Sequence, residues 1–207
     1  LPKPVSASEI EKIVKAAIPT PVPAPVEVVT PKQGGIITMQ HFASPPHWDT
    51  YAGTFTSFVA NNPTHSKVLM YDPSSSNPIP IIGDLALKWE VSNDGTAYTF
   101  HLARNARWHD GERITASDVV FSLDDMVTER ESRPQVGALK AYYESSEAVD
   151  DYTVKVNTKF KAAAFLPLFA ADFVQIRAQH RVESGVDMKL QESQLGSGPF
   201  KVKKYEK

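Results

Sequence analysis

The sequence predicts either an α+β domain or an irregular α/β domain. Two pairs of β-rich segments are present, one pair flanking a turn at 92–95 and the other a turn at 150–151. An amphipathic helix with Thr115 as its cap lies between the two pairs in the sequence. Because the strands and helices do not alternate regularly, a doubly wound parallel sheet is not indicated. We therefore expect hairpins combined with helices.

The first 33 residues differ from the rest because they hold seven of the 16 prolines. Ser8 and Glu11 have the spacing of a capping box, which predicts a short helix. The alternating prolines at 19–31 favour extended polyproline II. We predict that 1–33 is a short helix plus a linker, either a stalk that holds a domain away from a membrane anchor or a disordered tail.

The folded sequence is expected to start at Gly34. Residues 36–40 (IITMQ) form a β-rich run in which three of five residues are apolar, which predicts a buried strand. A loop is expected at 41–51 because it contains two adjacent prolines. The pattern at 54–70 is weakly helical, with a restart at Pro63, and 72–78 predicts a surface loop.

The central part carries the clearest local signals. Strands are predicted at 87–91 and 98–102, joined by the SNDG turn. A second turn at 109–111 precedes the helix that begins after Thr115. The apolar spacing of that helix directs Val119, Val120 and Leu123 inward.

The last third predicts a hairpin in which Val149 and residues 152–156 surround the turn at 150–151. A compact apolar helix is predicted at 162–171 and a short strand at 173–176. A turn at 196–199 then leads into an alternating strand at 200–205. Because the sequence stops there without partner strands, we expect it to be part of a longer protein.

Composition excludes several classes of protein. A net charge of -2 argues against a nucleic-acid partner, and the absence of cysteine excludes a disulfide scaffold and thiolate metal sites. No apolar run reaches the ~18 residues that a membrane-spanning helix needs.

Residues 83–122 read GDLALKWEVSNDGTAYTFHLARNARWHDGERITASDVVFS. This stretch resembles the signature region of the family 5 extracellular solute-binding proteins, which include peptide, nickel, haem and sugar binders. The glycine-led segment 34–49, the AVDDYTV block at 148–154 and the GSGPF block at 196–200 extend the resemblance in the same order. Two positions depart from the family: Ala103 replaces a basic residue, and Asn105 replaces a glycine.

The resemblance implies an α/β fold with mixed α+β character, of the type II periplasmic-binding-protein kind. It assigns 34–65 and 194–207 to part of the first lobe, and 66–193 to a subdomain inserted in that lobe. The second lobe is expected to be absent from these 207 residues.

By the same resemblance, the function expected is capture of a peptide-like or other small solute outside the cytoplasm and its delivery to an ABC permease. Attachment to the membrane would run through the N-terminal stalk or a lipid anchor. Two alternatives stay open: a sensor module on the same fold, and a half-binding-protein retained as a structural or interaction subunit of a larger membrane-associated assembly.

Catalytic and metal sites are not predicted. His109, Asp110 and Glu112 look like acid and base groups, but a turn held by local hydrogen bonds explains them better. The GSG at 196–198 lacks the following lysine of a phosphate loop. The six histidines include no helical i, i+4 pair. We therefore expect no enzyme activity, metal or cofactor.

The ligand site is expected in the loop that follows the first predicted strand, because binding sites in such folds lie where strand ends open into a cleft. In relatives, the segment matching 42–47 lines the ligand cavity. The predicted ligand-binding residues are Phe42, Ser44, His47 and Trp48; surface or core packing is the alternative for each of them.

Overall fold

The computed structural model describes Ser8 and residues 34–41, 43–75, 79–128, 133 and 136–206. The chain divides into two compact units, Leu1–Gln40 and His41–Lys207. Apart from Ser8, the predicted N-terminal helix and the proline-rich stretch lie outside the described residues.

Apart from Ser8, the described part of the first unit is 34–40, and these seven residues contain no regular secondary structure. The predicted buried strand at 36–40 is therefore wrong: Ile36 is 95% exposed and Ile37 is 84% exposed. A strand requires a neighbour that pairs with its backbone N–H and C=O groups. Among the described residues, these positions have no such neighbour.

The second unit combines short helices with antiparallel strands. Its elements are α1 (Phe55–Asn61), β1 (Leu69–Tyr71), β2 (Ile81–Gly83), β3 (Ala86–Val91), β4 (Ala97–Leu102), α2 (Ala116–Val127), α3 (Gly137–Tyr142), β5 (Tyr143–Asp150), β6 (Thr153–Thr158), α4 (Phe165–Leu168) and α5 (Gln179–Glu183). A 3₁₀ turn covers Gln191–Ser193.

A four-stranded antiparallel sheet of order β3-β4-β6-β5 forms the centre of this unit, and β1 pairs with β2 beside it. On one face the buried side chains alternate, with Phe100 in β4 and Val154 and Val156 in β6. The buried face of α2 contributes Val119 and Leu123 to the same core. This arrangement confirms the mixed α/β prediction.

Several local predictions are confirmed. The 92–95 turn joins β3 to β4, with Gly95 at a φ of 74° that favours glycine. Thr115 caps α2, and the Asp118 carboxylate accepts a 2.9 Å hydrogen bond from the Thr115 backbone N–H. The hairpin around 150–151 joins β5 to β6.

Three element predictions need correction. Helix α1 ends at Asn61, and 69–71 form a strand, so the predicted 54–70 helix is wrong in its second half. Only Phe165–Leu168 is helical within 162–171. Residues 173–176 form no strand, although Ile176 N–H donates to Ser66 O at 2.9 Å. Long-range contacts of this kind override short apolar patterns, which do not distinguish helix from strand.

The GSG segment lies directly against the chain around Thr64. Ser197 N–H and Gly198 N–H both donate to Thr64 O, at 2.9 and 2.8 Å, and the Ser197 hydroxyl accepts from Ser66 N–H at 3.2 Å. A Cβ on Gly196 would lie 1.9 Å from Thr64 O. Glycine is therefore required here because two backbones approach too closely for a side chain.

The segment after this contact does not belong to a sheet. Phe200 N–H donates to Pro63 O at 3.1 Å, and 201–206 form no strand. The predicted strand at 200–205 is therefore wrong, because no described residue offers these positions a hydrogen-bonded neighbour strand.

We predict that Gly196→Ala destabilises the chain by about 3 kcal/mol, because the new methyl group overlaps Thr64 O and a backbone must move. Equilibrium urea unfolding measures this change. Gly137→Ala is the matched control, since its Cβ would meet no atom within 4 Å; it should be neutral or stabilising by up to about 1 kcal/mol. Equal effects in the two variants would contradict the close-approach interpretation.

Candidate functional site

The loop of residues 43–48, hereafter the 43–48 loop, contains three of the four residues predicted to bind ligand. Ser44 is exposed, His47 is half-buried and Trp48 is buried, while Phe42 lies outside the described residues. The Trp48 ring packs edge-on against Tyr205, with ring centroids 5.1 Å apart. Ser44 and His47 thus have accessible surface, whereas Trp48 is buried against Tyr205.

The end of this loop is tied to helix α1. The Ser57 hydroxyl donates to His47 O at 2.7 Å, and the Asn61 amide donates to Trp48 O at 2.9 Å. Trp48 N–H donates to Lys189 O at 2.9 Å, which adds a contact from the opposite side. These bonds satisfy the His47 carbonyl and both backbone groups of Trp48 at the end of the loop.

A buried cluster of charges begins where the loop ends. Arg177 has a side chain only 3% exposed, and it pairs with Asp49 through Nη2. Its Nη1 lies 3.6 Å from Asp125 in α2, and Arg133 Nη2 lies 3.3 Å from the same carboxylate. Two guanidinium groups and two carboxylates therefore compensate one another where water is largely excluded.

Tyr51 completes the cluster. Its ring lies beneath the Arg177 guanidinium, 3.5 Å from Cζ to the ring centroid, in a cation–π contact. The hydroxyl donates to Gln175 O at 2.6 Å. Burial raises the pKa of Tyr51 well above its ordinary value, so this phenol stays neutral and is unsuited to act as a base.

The ionisation of Asp49 follows from its neighbours. Burial by itself would raise the pKa of this carboxyl, but the Arg177 charge and the hydrogen bonds from Ala52, Arg177 and Tyr51 outweigh it. The pKa of Asp49 therefore lies below its usual value of 3.8, and the carboxylate is charged at neutral pH.

A cavity of about 250 Å³ opens beside the cluster. It is lined by Asp49, Asp125, Arg133, Arg177, Val182, Val186, Asp187, Met188 and Lys189. Its walls carry both signs of charge, so their chemistry suits a polar or zwitterionic solute better than an apolar one. No group of three potential metal ligands occurs within the described part of the chain.

The assignment of the 43–48 loop to ligand binding stays a prediction, and the sequence analysis did not include the charged cluster that follows this loop. Asp49 and Arg177 are far in sequence from each other and from the pair Asp125 and Arg133, and the four residues form no motif. The proximity of Asp49 to the predicted ligand residues was the available signal. Their convergence arises only through the packing of α2 and the 174–178 segment.

The His109 turn has a structural role different from the predicted one. Gly111 has a φ of 100°, as a tight turn requires. His109 Nε2, however, lies 2.8 Å from Gly198 O. The backbone N–H of His109 donates to Gly196 O, also at 2.8 Å. The prediction that His109 bonds locally is therefore wrong: it holds the distant GSG segment, and local bonding comes from Asp110, which accepts from Glu112 N–H at 3.1 Å.

Comparisons with known proteins assign the chain to a family. Residues 80–207 match the family described as "Bacterial extracellular solute-binding proteins, family 5 Middle". The chain is 32% identical to the dipeptide-binding protein of Escherichia coli K12 over 73% of its own length and 32% of the relative. It is 30% identical to the heme-binding protein A of Haemophilus influenzae, over 70% of this chain and 30% of that protein.

The solved structures give the same picture of the fold. The periplasmic binding protein DppA of Helicobacter pylori, in complex with the peptide STSA, superimposes with a TM-score of 0.67 at 24% identity. The match covers 80% of this chain and 36% of that structure. The chain thus spans about a third of the length of these relatives. None of the helices in its described part is long and apolar enough to cross a membrane.

We predict that Asp49→Asn lowers the free energy of unfolding at pH 7 by about 3 kcal/mol, because Arg177 loses one of its buried charge partners. Because the pKa of Asp49 is lowered in the folded state, its carboxylate stabilises the fold fully above about pH 4. This contribution is lost as the pH falls through the lowered pKa. The unfolding free energy of the variant should therefore depend less steeply on pH below 4.

Urea unfolding at pH 7 and from pH 4 to 2.5 measures both effects. Asp172→Asn is the matched control, because its pair with Lys67 is 47% exposed on the Asp172 side and should contribute at most about 1 kcal/mol. Equal losses of unfolding free energy in Asp49→Asn and Asp172→Asn would contradict a strong buried interaction between Asp49 and Arg177.

Proposed function

Because this chain belongs to the family 5 bacterial extracellular solute-binding proteins, we propose that it is part of the substrate-binding component of an ABC importer. The solute proposed is a peptide or a similarly small zwitterion. The protein would hold this solute and deliver it to a membrane permease without changing it chemically. The proposed site of action is outside the cytoplasm, with the proline-rich 1–33 segment acting as a stalk or carrying an anchor.

The observation that carries this proposal is the family match over residues 80–207. The named relatives add the solute class, since one is a dipeptide-binding protein and one solved neighbour contains a peptide. Another relative is a heme-binding protein. The choice of a peptide therefore also rests on the charged cavity wall beside the 43–48 loop, which offers groups for both ends of a zwitterion.

The proposed mechanism is binding and closure. A solute would first contact Ser44, His47 and the neighbouring backbone, and further contacts would come from the remaining two-thirds of a full-length relative, which the present chain does not contain. Closure of two lobes around the solute would create the shape that a permease recognises. Affinity for the isolated chain is therefore expected to be weak.

Nuclear magnetic resonance with a mixture of dipeptides and tripeptides tests the proposal. We expect shifts of the Ser44, His47 and Trp48 amides that saturate with a Kd of about 1 mM or weaker, since one wall of the cleft provides only part of the binding energy. Ser44→Tyr should remove the shifts by obstructing the loop. Ser145→Tyr, on an exposed strand position, should leave them unchanged. Saturating shifts confined to other regions, or none at all, would refute peptide binding at this loop.

A second candidate function is that of an interaction subunit in a larger membrane-associated assembly. It is favoured by one specific observation: Ile36, Ile37 and Met39 are 95%, 84% and 78% exposed. Consecutive apolar side chains in water are typical of surfaces that a partner covers.

This second candidate is tested by sedimentation of the chain extracted from its native membranes. Stable membership of an assembly predicts a particle heavier than the chain that dissociates when Ile36 and Ile37 are both replaced by Lys. The paired replacement of Leu87 and Val91, exposed positions on β3, serves as the control. A monomer in all three samples would rule out the subunit function.

A further inference from the structure

We propose that Arg177 is a positioning residue for the 43–48 loop: it couples that loop to helix α2 and so sets solute affinity through the position of the loop. This inference rests on the proposed function, because it assigns the loop to solute binding. It concerns a residue far from the loop in sequence that neither the motifs nor the comparisons single out.

The backbone of Arg177 is attached to α2. Its N–H donates to the Ser122 hydroxyl at 2.9 Å, and that hydroxyl donates to Arg177 O at 3.3 Å. Ser122 is fully buried in the middle of the helix. The residue therefore moves with α2, whose other buried side chains pack into the sheet core.

The side chain of Arg177 extends from this attachment toward the loop. One guanidinium nitrogen donates to both Asp49 Oδ1 and, at 3.3 Å, Thr50 Oγ1. The guanidinium plane rests on the Tyr51 ring, and Asp125 of α2 holds the other nitrogen from behind. One face and both terminal nitrogens of the group thus have different neighbours, which leaves it little freedom to adopt another position.

Asp49 connects the Arg177 guanidinium to the backbone at the end of the loop. Its Oδ1 also accepts hydrogen bonds from Tyr51 N–H at 2.8 Å and Ala52 N–H at 3.1 Å, which closes the turn at the end of the loop. The bonds from Ser57 and Asn61 attach the loop to α1. The Arg177–Asp49 contact supplies the attachment to α2, so the direction in which the loop leaves the core depends on both helices.

A lysine cannot reproduce this arrangement. Its compact ammonium group has no plane to lie on the Tyr51 ring and no fork to reach two carboxylates in fixed directions. Arg177→Lys therefore keeps the charge and removes the geometry. This separates positioning from simple charge compensation.

The test compares amide hydrogen exchange of the 207-residue chain with that of Arg177→Lys. We expect amides at 47–52 to exchange at least tenfold faster, while the paired amides of β4 and β6 keep their rates. The pKa of Asp49, followed through its carboxyl carbon, should move upward because the hydrogen bond from the guanidinium is lost. Arg181→Lys is the matched control, since Arg181 donates to the Ser193 and Glu192 carbonyls instead.

The outcomes separate this inference from the proposed function. Faster exchange at 47–52 in Arg177→Lys, with at least fivefold weaker dipeptide affinity, supports the inference. Dipeptide binding that is equally tight in both proteins, with unchanged exchange at 47–52, overturns it and leaves the function standing. Uniformly faster exchange over β4 and β6 also overturns it, because Arg177 is then only a stability element. If no dipeptide binds but 47–52 loosens, the coupling stands and the proposed function fails.

Discussion

The buried pairing of Arg177 with Asp49 and Asp125 is the interaction on which the organisation of the site depends. Removing a guanidinium from water is costly, and only well-placed carboxylates and hydrogen bonds offset that cost. Asp49 directly follows the 43–48 loop and Asp125 lies in α2. Arg177 therefore has both of its carboxylate partners only when the loop, α2 and the 174–178 segment are all in place. The charges therefore specify an arrangement more than they add stability.

A second constraint is the close backbone contact between 196–198 and Thr64. It brings the end of the chain back to residues more than 130 positions earlier, and His109 fastens it from the side through Gly196 and Gly198. The turn at 109–111, the GSG segment at 196–198 and the residues around Thr64 thus form one hydrogen-bonded junction. Residues that resemble acid and base groups in the sequence serve here to join distant parts of the chain.

The same physical reasoning explains which predictions from sequence succeeded. The two hairpins and the α2 cap depend on residues within a few positions of one another, so local chemistry decides them. Residues 36–40 and 200–205 have the composition of strands, but a strand also needs a partner that its own sequence does not specify. The 43–48 loop was proposed as the ligand loop from the resemblance, whereas the pairing of Arg177 with Asp125 could not be predicted, because nothing local distinguishes a buried arginine from a surface one.

Sequence by itself determined the family of this protein and the short-range elements that the family shares, because turn chemistry, capping and ordered motifs are written in adjacent residues. Tertiary structure alone decided which charges meet, which glycines bear a backbone contact and how the 43–48 loop is attached to its two helices. Such features depend on pairs of residues far apart in the chain. Their proximity follows from packing of the whole core, and no local pattern of residues encodes it.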